Sequence, residues 1–165
     1  MSGPHRFWSN EVGYSDADWG RDLDSRWSTT GVVVLLNDAA VVWRSCKQQT
    51  VAISMTEAEY MALMDAAKEI KWIRQLFDEL HYGITPRPFT ILKTDNQGAL
   101  ALAKNPVHHT RSKHIDIKHH YIRETIAQGI VWLEHVSTSN MAADFLTKPL
   151  GRVPLQKCLS LIGMR

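Results

Sequence analysis

The sequence predicts an α/β domain built on a mixed β-sheet, and three observations carry that expectation. Three apolar, β-branched runs follow one another within residues 11–44, as in an antiparallel meander. A long segment after them repeats its apolar residues at spacings of three and four, the period of a buried helix face. Beyond it, strand-like and helix-like segments alternate, which is the pattern of parallel strands joined by helical crossovers.

Residues 1–10 contain Gly3-Pro4 and no period, and read as a tail or linker before a domain spanning 11–165. The first strand is expected at Glu11–Ser15, ending at Asp16. Ser28–Leu36 and Ala39–Arg44 flank Asn37-Asp38, a pair of residues that tolerate the positive φ of a tight hairpin turn. Thr56-Glu57-Ala58-Glu59 has the form of a capping box, with Thr56 as N-cap, opening a helix that runs to about Leu80 before Gly83. Its core stripe is Leu63, Ala66, Ile70, Ile73, Phe77 and Leu80. Phe89–Thr94 reads as a fourth strand, and Asn96–Lys104 as a short helix stopped by Asn105-Pro106. Ile115–Gln128 is a further helix closed by Gly129, and Val131–Val136 a fifth strand. Asn140–Thr147 and Arg152–Ile162 are two last helices separated by Pro149. Trp43, Trp72 and Trp132 fall within these elements and are expected in the core.

Composition narrows the class of protein. The 165 residues are 44% apolar and 22% charged, ordinary values for one globular domain. No apolar run is long enough to span a bilayer, and the first residues lack the apolar stretch of a secretory signal. Cys46 and Cys158 stand far apart and form no metal knuckle, so an intracellular, reduced protein is expected. The net charge of +2 is unevenly distributed. Lys104, Arg111, Lys113, Lys118 and Arg123, with five of the eight histidines, face the single acid Asp116 in one stretch. Such a block suits a polyanion, or a solvated helix face. No Cys pair accompanies His109, His114 and His119, which argues against zinc there.

Four acids stand where chemistry is expected. Glu59 lies four residues before Leu63, in line with the sheet-facing stripe; it either completes the capping box or belongs to a site. Asp16 ends the first strand, Asp95 follows the fourth, and Asp144 opens a late helix. If the first and fourth strands are parallel neighbours, Asp16 and Asp95 sit side by side at their C-terminal ends, where open α/β sheets bind ligands. Clustered carboxylates repel, and a hard divalent cation relieves the repulsion.

The segments Gly13-Tyr14-Ser15-Asp16-Ala17-Asp18-Trp19, Thr56-Glu57-Ala58-Glu59-Tyr60, Thr94-Asp95-Asn96-Gln97, Thr110-Arg111-Ser112-Lys113-His114-Ile115-Asp116-Ile117 and Ala143-Asp144-Phe145-Leu146-Thr147-Lys148-Pro149-Leu150 together resemble the ribonuclease H domain of copia-type retrotransposon polyproteins. The likeness covers about residues 11–163. It implies a ribonuclease H-like fold with a five-stranded mixed sheet in the order 3-2-1-4-5. It also implies a metal site of Asp16, Glu59, Asp95 and Asp144 as catalytic carboxylates, holding two Mg²⁺ ions, with Mn²⁺ as a substitute. The implied reaction is endonucleolytic hydrolysis of the RNA strand of an RNA–DNA hybrid, leaving 5′-phosphate ends. The alternative is a weak or inactive nucleic-acid-binding module that keeps the fold.

By the same resemblance Gln97 meets the RNA minor groove, where the 2′-hydroxyl distinguishes RNA from DNA. Ser15, Thr56 and Asn96 are further candidate donors, with Ser54 beside them. Arg111, Lys113 and His114, with Lys118, are candidates for the hybrid backbone, and Lys148, one turn after Asp144, for a phosphate. Asp18 is expected to support the site rather than bind metal. A reverse transcriptase in the parent polyprotein is the expected partner, without membrane or small-molecule cofactor, in a cytoplasmic retroelement particle rather than the nucleus. Cellular enzymes of this kind carry a mobile histidine before the last acidic helix. Here that loop is Ser137-Thr138-Ser139-Asn140, and His135 just precedes it.

Overall fold

A computed structural model describes residues 8–20, 24, 26–80, 85–86, 89–105 and 113–164, with the backbone alone at 8–9, 85–86 and 113–119. Five strands form one sheet: β1 (Glu11–Asp18), β2 (Thr29–Leu36), β3 (Ala39–Lys47), β4 (Thr90–Thr94) and β5 (Val131–His135). Their order is β3-β2-β1-β4-β5. The first three pair antiparallel, while β4 lies parallel to both β1 and β5, so the sheet is mixed as expected. Trp8–Ser9 pairs separately with Thr85–Pro86.

The hairpin between β2 and β3 turns on Asn37 and Asp38, both at positive φ (50° and 65°). That is the two-residue turn whose twist matches its strands. Strand β1 runs to Asp18, past its expected end at Asp16. The reason is its partner: β2 is long enough to pair Asp16 with Gly31, Ala17 with Thr30 and Asp18 with Thr29. The third strand likewise extends beyond Arg44, to Lys47.

Helix α1 (Met55–Glu79) packs on one face of the sheet. Leu63, Ala66, Ile70 and Ile73 of the expected stripe are buried there with Val32, Val34, Leu92 and Leu133. Phe77 packs at the margin, and Leu80 is exposed at the helix end. Glu11, at the start of β1, is buried and accepts a hydrogen bond from Thr90 Oγ1 (2.6 Å). Arg74 of α1 lies 3.7 Å away, which ties the helix to the sheet at the end opposite the acids.

The opposite face carries a second core, in which Tyr14, Val33 and Leu35 meet Met141, Ala142, Ala143 and Ile162. The expected helix over Asn140–Thr147 is replaced by two 3₁₀ turns, Thr138–Asn140 and Asp144–Leu146. The amides here bond three residues back, Met141 N–H to the Thr138 carbonyl and Leu146 N–H to that of Ala143, and Met141, Ala142 and Ala143 between the two turns are all buried. Helices α2 (Gln97–Lys104), α3 (Lys113–Ala127) and α4 (Arg152–Leu161) fall close to their expected places.

The tryptophans are a correction. Trp43, Trp72 and Trp132 are 67%, 55% and 54% exposed rather than in the core. Trp43 stands on the edge strand β3 and Trp132 on the edge strand β5, over which Phe89 and the Lys104 ammonium fold.

Candidate metal centre

The N-terminus of α1 decides what Glu59 does. The N-cap is Ser54, not Thr56: Ser54 Oγ accepts the Glu57 amide N–H (3.2 Å), and Glu57 Oε2 accepts the Ile53 amide N–H (2.8 Å). The cap therefore belongs to Ser54 and Glu57, two residues before the expected pair, with the Glu57 carboxylate reaching one residue past the N-cap to Ile53. Glu59 is left out of the cap and turned toward the sheet, 4% exposed. It accepts the Ala17 amide N–H through Oε1 (3.3 Å), while its buried Oε2 finds no hydrogen-bond partner among the described residues.

The parallel pairing of β1 and β4 supplies the next two acids. Tyr14 lies beside Lys93, so two residues further along each strand Asp16 comes alongside Asp95. Asp16, Glu59 and Asp95 each bring an oxygen within 4.8 Å of the others. At that separation two carboxylates repel by about 3–4 kcal/mol at an effective dielectric of about 20.

Neighbours hold the trio in place. Thr147 Oγ1 donates to Asp16 Oδ2 (2.5 Å) and lies 3.0 Å from the Asp144 carbonyl. Thr138 Oγ1 donates to Asp95 Oδ2 (2.7 Å), and His135 Nε2 meets the Asp95 carbonyl (3.1 Å). His135 lies in β5, which ends there, one residue short of the expected Val136, and it is Thr138 that reaches the Asp95 carboxylate from the loop. Thr147, Thr138 and Gly31 were not among the expected site residues. The signal for Gly31 was a glycine inside a strand, which marks close approach of another segment.

Asp144, the fourth acid, is buried next to this trio and opens the second 3₁₀ turn. Its Oδ1 forms an ion pair with Lys148 Nζ. Burial pushes the Asp16 carboxyl up to about 6; the Thr147 hydroxyl opposes this and the Asp144 and Asp95 charges add to it. Glu59 goes up to about 9 through burial and then the charges of Asp16 and Asp95. Without a cation, Glu59 thus keeps a proton at neutral pH. Partial burial pushes the Lys148 ammonium down, but the Asp144 hydrogen bond and the charges of Asp144, Asp16 and Asp18 outweigh it and raise its pKa.

The expected nucleic-acid contacts divide into three groups. Thr56, Asn96 and Gln97 come together beside Asp95, where the starts of α1 and α2 meet. Asn96 caps α2 by accepting the Ala99 amide N–H (2.8 Å), and Gln97 is exposed. A Cβ on Gly98 would lie 2.9 Å from Thr56 Oγ1, so a glycine is what lets the two helix starts approach. Ser15 is a correction: it is fully buried and cannot face a nucleic acid. Arg111 lies outside the described residues. Lys113, His114 and Lys118 are placed only as backbone positions of α3.

The chain has the ribonuclease H fold. It aligns with a ribonuclease H1 designated LC11, solved with an RNA/DNA hybrid, at a TM-score of 0.60 and 16% identity, covering 83% of this chain and 93% of that one. The ribonuclease H1 of the archaeon Halobacterium salinarum NRC-1 aligns at a TM-score of 0.57 and 18% identity, covering 86% and 95%. No protein-family model matches the sequence. Curated relatives are more similar in sequence. The retrovirus-related Pol polyproteins of transposons RE1 and RE2 of Arabidopsis thaliana are 44% and 42% identical over 151 residues, 92% of this chain. That of transposon TNT 1-94 of Nicotiana tabacum is 38% identical over 152 residues. The chain spans about a tenth of the length of these relatives, 10–11%. It belongs with the ribonuclease H domains of copia-type retrotransposon Pol polyproteins.

Proposed function

We propose that this domain is a metal-dependent endoribonuclease that hydrolyses the RNA strand of RNA–DNA hybrids, with Asp16, Glu59, Asp95 and Asp144 as its catalytic and metal-holding carboxylates. The observation that carries the reading is the buried Glu59 Oε2, without a hydrogen-bond partner among the described residues, within a trio of carboxylates. Ionising a buried carboxyl whose oxygen lacks a donor is costly, and a divalent cation supplies the positive charge that lets Glu59 ionise there. The donor set is all oxygen, which suits Mg²⁺, or Mn²⁺ in its place, rather than a thiolate-seeking metal.

A bound pair of Mg²⁺ ions would supply an activated water and stabilise the departing 3′ oxygen. The protein's own residues supply the setting. Asp16 and Asp95 are fixed by strand register and steadied by Thr147 and Thr138. Glu59 gives up its proton as a cation enters. Thr56, Asn96 and Gln97 offer neutral hydrogen-bonding groups beside Asp95, the chemistry that reads a 2′-hydroxyl. The basic segment around Arg111, Lys113 and His114 is suited to the hybrid backbone, and the Lys148 ammonium to a phosphate. A reverse transcriptase elsewhere in the parent polyprotein fits as the source of the hybrid.

The test is substrate choice. Labelled RNA–DNA, RNA–RNA and DNA–DNA duplexes of one sequence are incubated with the domain in Mg²⁺ or EDTA. Cleavage of the RNA strand of the hybrid alone, with 5′-phosphate ends and only in Mg²⁺, is expected. Cleavage in EDTA, or no preference among the duplexes, overturns the reading.

A further inference from the structure

Asp144 does not join the oxygen trio of Asp16, Glu59 and Asp95; its carboxylate is taken by Lys148. The arrangement is built into one turn. The Lys148 amide N–H donates to the Asp144 carbonyl (3.3 Å), as does that of Thr147 (3.2 Å), so the backbone folds Lys148 back over the acid. Asp144 is 9% exposed and the Lys148 side chain 36% exposed, so the ammonium closes the solvent side of a nearly enclosed carboxylate. Asp16 and Asp18 also act electrostatically on this ammonium, and it in turn acts on Asp16 and Glu59. Lys148 thus stands as a tethered monovalent cation within the acidic cluster. A divalent ion bound at Asp144 Oδ1 and the ammonium cannot occupy the same place.

We propose that Lys148 is an internal counter-ion that must be displaced before Asp144 can take a metal, so that the two ions bind unequally and in order. The Asp16–Glu59–Asp95 trio fills first, because among the described residues no ammonium is paired with any of its three carboxylates, whereas Asp144 holds that of Lys148. Asp144 is engaged second, against the Lys148 ammonium. The inference rests on the metal-holding role proposed above for the four acids.

Binding of Mn²⁺ to the domain without nucleic acid, counted by calorimetry and electron paramagnetic resonance, tests it. The wild type is expected to show one tighter and one weaker ion. Lys148→Gln should tighten the weaker ion by about tenfold and leave the tighter one within about twofold. Lys148→Arg, which keeps the charge, should resemble the wild type. Asp144→Asn should abolish the weaker ion, and adding Lys148→Gln to it should change nothing further, a comparison that holds even if one single variant folds poorly. Two ions of equal affinity in the wild type, or a weaker ion unaltered in Lys148→Gln, overturns the proposal while leaving the metal centre standing. If the wild type binds no Mn²⁺ at all, the metal centre fails and this inference with it.

Discussion

Gly31 makes room for Thr147: a Cβ at position 31 would lie 2.7 Å from the Thr147 Cγ2 and 2.9 Å from the Ala143 carbonyl oxygen. Gly31 is also the residue paired with Asp16 across the β1–β2 ladder. The bare backbone there lets the segment 143–147 settle on the sheet. Thr147 then reaches Asp16 and Asp144 is brought up beside it.

Gly31→Ala should therefore damage the site through packing rather than chemistry. Part of the clash is with backbone, which cannot swing aside, so overpacking should cost about 1–3 kcal/mol of stability. Denaturant melts of the two proteins measure that loss, and Mn²⁺ binding should weaken in the folded variant. Unchanged stability and binding would show that segment 143–147 does not rest on this position.

The buried acids make the metal-free domain sensitive to pH. Glu59 rises from the ordinary 4.5 to about 9, and Asp16 from 3.8 to about 6. Both folded values lie above the unfolded ones, so the folded state binds more protons between them. Their contribution to stability is fully present below about pH 4, where both states are protonated, and is lost as pH rises toward 9. The slope reaches up to about 1.4 kcal/mol per pH unit for each such group. Thermal melts in EDTA from pH 5 to 9 should show falling stability, and Glu59→Gln should flatten the trend. A wild type whose stability does not change over that range, or a Glu59→Gln trend as steep as the wild type, contradicts the assignment.

The start of α1 gives a prediction about stability alone. Ser54→Ala removes the side chain that accepts the Glu57 amide and should cost about 1 kcal/mol. Thr56→Ala, inside the first turn, should cost less than half of that. Equal losses in urea melts, or a larger loss for Thr56, would return the cap to the residue expected from sequence.

The parts of the fold that follow from periodicity were legible in the sequence: the five strands, the stripe on α1 and the Asn37-Asp38 hairpin. The acids were legible as well, because strand ends and a core-facing glutamate are odd places for charge. Ser54 and Thr56 show what was not. Both open a Ser/Thr-x-x-Glu pattern, and only the backbone at Ser54, extended at φ −151° and ψ 160°, chooses between them. Trp43 and Trp132 read as core because they are large and apolar and fall in strands, but each stands on an edge strand and is more than half exposed. Lys148 was legible as one turn from Asp144. Its hold on that carboxylate depends on how the chain folds after Met141, which no period in the sequence records.

The central claim is that the trio of Asp16, Glu59 and Asp95 is the heart of a metal-dependent cut in RNA. Single-turnover cleavage of a labelled RNA–DNA hybrid in Mg²⁺, by the wild type and by Asp95→Asn of equal stability, tests it most directly. Cleavage by the wild type and a loss of at least about a hundredfold in the variant are predicted. Equal rates in the two proteins, or no cleavage by either, would contradict it.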